Sequence, residues 1–170
     1  MQIDFHYCVT KILALKAGFD DKQAQKIAYA SQFVDDETNH KPFRIKNSSM
    51  NFVPECLKNF PRFKNNKFDP IRTAHKGVQY LAGLLPDVQK NIYIPFHFIP
   101  SEKYDAAKHN EKNFSFTVIP NSPFAQELVD HAIENLKQEF EPYPQKLIGL
   151  GIALHSYADT FSHQFFSGNR

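Results

Sequence analysis

The chain has 170 residues, 42% hydrophobic and 22% charged, with a formal net charge of only +2. That length suits a single domain with a real core, and the near-neutral balance excludes a nucleic-acid binder that works by bulk charge. The most continuous apolar run, Leu147 to Leu154, is far too short to span a bilayer.

Aromatic packing falls to 17 phenylalanines, because tryptophan is absent. The opening "MQIDFHYCVT" has neither a basic region nor an apolar signal core, so a cytoplasmic location is expected. Cys8 and Cys56 form no metal knuckle or redox pair and read as buried or free thiols, which fits a reducing compartment.

In chain order, Ile3 to Ala17 carries apolar residues at helical spacing and stops at Gly18. Asp20, three before Gln23, is a capping-box start for a helix reaching about Asp35. Its inner face is Ala24, Ile27, Ala28, Ser31 and Val34; Asp35 falls on that side and Asp36 points outward. His40 to Pro70 has no sustained period and reads as an irregular excursion held down by phenylalanines. A helix is expected from Thr73 to Leu85, with Ala74, Val78, Leu81 and Leu85 on one face. "NIYIPFHFIPS" is read as extended because Pro95 and Pro100 break helices, with His97 opposite Ile92, Ile94, Phe96 and Phe98. "FSFTVIP" is a second extended piece, and Ser122-Pro123 starts a helix to about Glu139. Pro142 and Pro144 introduce the last helix. The expected fold is mainly α: a single-domain bundle of about five helices with long irregular connections.

The last helix raises the question of function. At ~100° per residue, Leu147, Gly151, Leu154, Ala158, Phe161 and Phe165 form an apolar stripe. His155, Asp159 and His163 form a second stripe beside it, while Ser156, Thr160 and Gln164 are expected to face water. Side chains four apart project from points ~6 Å apart, close enough for His155 and Asp159 to hold one ion together. The blander reading is two half-buried histidines tied locally to Asp159. It weakens because other elements also offer inward ligands: His6, Asp35, His75 and His97. Imidazole with carboxylate is a donor set suited to zinc and its neighbours. His40, His109 and His131 sit in polar surroundings and read as surface residues. Glu37-x-x-His40 occurs once, where a di-iron bundle needs that motif twice. His-Glu-x-x-His, His-Asp and Gly-x-Ser-x-Gly are all missing, which argues against a zincin protease, an HD-type phosphohydrolase and a serine hydrolase of the nucleophile-elbow kind.

An N-terminal histidine, an aspartate closing the second helix, a later histidine and then His-x3-Asp on an apolar helix resemble zinc-dependent phospholipase C and the single-strand-specific zinc nucleases. The blocks "MQIDFHYCVT", "AYASQFVDDET", "AHKG", "IPFHFIP" and "LGIALHSYADTFSHQFF" resemble, more closely, an uncharacterised bacterial domain family with that fold. The resemblance implies that Asp159 bridges metals and that His155 shares one of them. Asp35 or Asp36, and His75 or His97, would complete that site. His6 would join Asp159 on a neighbouring ion, with His163 as a further ligand. It implies one or more zinc ions, or another divalent metal. It also implies hydrolysis of a phosphoester small molecule or lipid, with Asp159 and Asp35 in the catalytic roles. A non-catalytic, metal-stabilised helical interaction module is the competing expectation. The enzymes carry a later His-x3-Glu or His-x3-Asp helix that does not appear before Arg170. The chain is therefore expected to be the N-terminal part of a longer protein.

Overall fold

In the computed structural model, the described residues are 3–39, 41–44, 63–64, 67–74, 88–101, 117–138 and 143–166. They are mainly helical. A wide π-helical turn, Asp4–Val9, runs directly into α1 (Thr10–Lys16), whose end is marked by Gly18 at φ +95°, a backbone conformation that favours glycine. The next helix, α2 (Asp21–Asp36), begins at the capping box. Asp20 Oδ1 accepts from the Gln23 amide at 2.8 Å, and Gln23 Oε1 accepts from the Asp20 amide at 3.0 Å. Its inner face is buried as expected, with Ala30 added to it.

A two-residue antiparallel hairpin, β1 (Phe63–Lys64) and β2 (Lys67–Phe68), pairs Phe63 with Phe68, and Phe43 bridges to Phe68. Thr73 and Ala74 are not helical; they form a strap whose amides donate to Glu37 O at the end of α2. The remainder of the helix expected to Leu85, with His75, lies outside the described residues.

"NIYIPFHFIPS" is not extended. A π-helical turn, Gln89–Tyr93, leads into the single-turn α3 (Ile94–His97). Pro95 lies in the first turn of α3, directly after the π-helical turn. His97 is consequently buried along with Ile92 and Ile99. Helix α4 (Pro123–Lys137) starts at Ser122, whose Oγ accepts from the Ala125 amide at 3.2 Å. The last helix is α5 (Tyr143–Ser162).

Helix α5 packs between α2 and α4, with α1 against α2 and α3 against α5. The core cluster is Ala14, Ala24, Ile27, Leu147 and Leu150, closed over by Phe19, Ala132, Leu136 and Leu154. Helices α2 and α5 approach closely at Gly151: a Cβ there would collide with Ile27 O and lie 2.7 Å from Ala30 Cβ. Neighbours on several sides also correct the expected outer face of α5. Ser156 and Thr160 are buried, Ser156 Oγ donating to Phe96 O at 2.8 Å and Thr160 Oγ1 to Tyr157 O at 2.7 Å. Phe161 and Phe165, expected on the apolar stripe, are exposed. Beyond α5, Phe165 and Phe166 exchange two backbone hydrogen bonds with Val118, both 2.9 Å, which ties the helix end to the segment before α4. Among the described residues, no helix is long and apolar enough to cross a membrane.

Candidate metal centre

Four elements deliver ionisable side chains to one point. The π-helical turn before α1 supplies His6, on a buried line with Thr10 and Ala14. The last turn of α2 supplies Asp35, α3 supplies His97, and α5 supplies His155 and Asp159. His6, His155 and Asp159 have no solvent exposure at all. One π-helical turn contains His6 and the other leads into the short helix that ends at His97, and isolated turns of this kind recur at functional sites.

Asp159 is the hub. Its Oδ1 lies 3.3 Å from His6 Nε2; its Oδ2 lies 2.9 Å from His97 Nδ1, 3.2 Å from His155 Nε2 and 3.7 Å from His163 Nε2. Ser162 Oγ donates to Oδ1 at 3.2 Å. The Asp35 oxygens stand somewhat further out, 3.7 Å from His6 Nε2, 3.8 Å from His97 Nδ1 and 3.9 Å from His155 Nε2. His97 Nδ1 and His155 Nε2 are 3.1 Å apart. Asp35 is 24% exposed and His163 30% exposed, so these two form the solvent side of the cluster.

The electrostatics follow from burial and crowding. Burial alone would raise the Asp159 carboxyl, but its contacts with His155, His6 and His97 outweigh that and hold it well below the usual carboxylate range. Burial pushes His155 down, helped by the neighbouring His6 and His97. His163 is also lowered, mainly by burial. For His97 burial is opposed by hydrogen bonds to Asp159 and to the Thr73 carbonyl, and the net shift is upward.

The donor atoms suit a cation. Zinc bonds of about 2.0–2.1 Å in a tetrahedron imply donor separations of roughly 3.3–3.4 Å. The contacts among His6, His97, His155 and Asp159 lie close to this. In each of two triads, His6 with His155 and Asp159, and Asp35 with His97 and His155, the donor atoms lie within 4.8 Å of one another. Nδ1 of His6 and Nδ1 of His155 are buried without a hydrogen-bond partner, and Nε2 of His6 has the Asp159 carboxylate beside it at 3.3 Å. Such atoms are costly unless something compensates them. The buried histidines and aspartates can therefore hold a metal ion.

Of the residues expected from sequence, the structure brings together His6, Asp35, His97, His155, Asp159 and, at the edge, His163. Asp36 does not join them; it is exposed, and its Oδ2 accepts from Gln32 Nε2 at 3.2 Å. His131 is exposed on α4, as expected. His40, His75 and His109 lie outside the described residues. Two participants were missed. Ser162, three positions after Asp159, was visible as a polar residue on the right turn. Thr73, whose carbonyl oxygen lies 2.8 Å from His97 Nε2, acts through its main chain and leaves no side-chain signature.

The chain matches the family of unknown function DUF6765 over residues 1–170, and it belongs to that family. No curated protein and no solved structure matches it.

Proposed function

We propose that this member of the DUF6765 family is a metal-dependent phosphoester hydrolase that uses zinc or a similar divalent ion. The observation that carries the reading is the division of labour on the Asp159 carboxylate. One oxygen faces His6 and the other faces His97, His155 and His163, the disposition of a bridging ligand. When bound, zinc supplies Lewis acidity toward a phosphoryl oxygen and acidifies its water to a pKa of about 7. Asp159 stays ionised at neutral pH and fixes the imidazoles around one point. Asp35, part-exposed and within 4 Å of three of those rings, is the carboxylate placed to orient a nucleophilic water and take its proton. An apolar groove of about 240 Å³ shares Thr73 and Phe96 with the surroundings of His97.

One observation favours a second reading, a non-catalytic helical interaction module tied by metal. The complete burial of His6, His155 and Asp159 would let a single ion be saturated by protein donors alone. Metal counting on unstripped protein, combined with turnover of a generic phosphodiester and phosphomonoester, separates the two. Two or more ions with hydrolysis support the enzyme. One tightly held ion without hydrolysis supports the tie and defeats the enzyme.

A further inference from the structure

We infer that Thr73 is a positioning residue that sets which nitrogen of His97 faces the cluster; the consequence for metal affinity rests on the metal reading above. A helix leaves its last carbonyls without partners. At the end of α2, Thr73 supplies them. Its Oγ1 donates to Val34 O at 2.6 Å, and the Thr73 and Ala74 amides both donate to Glu37 O at 3.1 Å. These bonds pin the strap to the turn that carries Asp35, the neighbour of Val34.

The clamped strap aims the Thr73 carbonyl at His97, whose Nε2–H donates to it at 2.8 Å. A carbonyl offers no proton, so Nε2 has to carry one. Without metal, Nδ1–H donates to Asp159 Oδ2 at 2.9 Å; with a cation in place of that proton the lone pair is on Nδ1, the nitrogen 3.1 Å from His155 Nε2. Flipping the ring would give up the bond to Thr73. The end of α2 thus registers two donors at once: Asp35 through its own last turn, and His97 through a hydroxyl and a carbonyl on the strap. Partners that orient metal-binding histidines are typically worth about 10–100-fold in metal affinity.

Thr73→Val keeps the side-chain volume and removes the Val34 bond, whereas Thr73→Ser keeps the hydroxyl. Zinc titration of the three proteins, with NMR of the imidazole nitrogens in metal-free and zinc-loaded chains, tests the inference. Thr73→Val should bind zinc about tenfold or more weakly, and Thr73→Ser should return close to wild type. Zinc-loaded wild type should keep the His97 proton on Nε2. Unchanged zinc affinity in Thr73→Val overturns the inference. So does a loaded His97 protonated on Nδ1, a result that needs no variant to fold. A wild type that takes up no zinc defeats the metal reading, and the positioning role is then decided on metal-free protein. A His97 Nε2–H signal present in wild type and weakened in Thr73→Val supports it; the same signal in both overturns it.

Discussion

The rings of His6 and His155 lie stacked, with centroids 4.0 Å apart and planes 25° from parallel. Packed this way, the two imidazoles approach the Asp159 carboxylate together, His6 at Oδ1 and His155 at Oδ2. Packing holds these two candidate donors together beside the hub.

The carboxylates should separate cleanly on substitution. Asp159→Asn leaves a neutral amide at the hub and should abolish zinc binding, read by calorimetric titration. Asp35→Asn should weaken zinc binding more than Asp36→Asn, since Asp35 approaches three imidazoles and Asp36 faces Gln32 and solvent. The reverse order would mean that the last turn of α2 is rotated from the arrangement described.

Two glycines of α5 should respond in opposite directions. Gly151→Ala forces α2 and α5 apart at Ile27 and Ala30 and should cost about 1–3 kcal/mol. An added Cβ at Gly149 meets nothing within 4 Å, so Gly149→Ala should stabilise by roughly 0.4–1 kcal/mol through the loss of backbone freedom in the unfolded chain. Thermal unfolding of both variants in chelator checks the signs. Equal shifts would rule out the close helix contact.

Acid should weaken the metal-free protein through His155. Its folded-state pKa is lowered, by burial first and by the charges of His6 and His97 after it. A group lowered on folding binds fewer protons in the folded state. Its contribution is full above the unfolded value of about 6.5 and is lost as pH falls below that. His163 acts in the same sense. His97, raised by its partners, acts in the opposite one, stabilising below about 6.5 and losing that effect as pH rises through its folded value. Melting temperature measured in chelator from pH 7 downward should therefore fall less steeply in His155→Gln than in wild type. A steeper fall in the variant would contradict the lowered value.

Zinc should stabilise the fold by mass action. A ligand that binds only the folded chain adds about 2.7 kcal/mol at a hundred times its Kd. The melting temperature should rise with free zinc and return on chelation. A melting temperature indifferent to zinc across the concentrations that saturate the site would place the ion on unfolded and folded chains alike.

Much of this site was legible in the residues because α5 is a long regular helix. His155 and Asp159, four apart and next to a core stripe, could only lie side by side and half inward. The phase of α2 separated Asp35 from Asp36 for the same reason, anchored at one end by the Asp20–Gln23 box. Legibility failed where geometry departs from 3.6 residues per turn or depends on distant neighbours. The turns at Asp4–Val9 and Gln89–Tyr93 follow a wider period that no apolar spacing announced. Pro95 read as a breaker because its place in a first turn depends on where the helix begins. Ser156 and Thr160 looked polar and outward because nothing local reveals that α5 has helices on several sides.

The donors are far apart in sequence: His6 lies in the first turn of the described residues, and His155 and Asp159 lie on α5. At synthesis rates of about 5–20 residues per second, roughly 8 to 30 seconds separate the making of the first donor from that of the hub. Throughout that interval His6 and Asp35 can meet an ion only as isolated, weak ligands. On the proposed metal reading, selection of the ion waits until α5 has been made, when all donors close together and the folded geometry chooses the ion instead of whichever cation the nascent chain meets first.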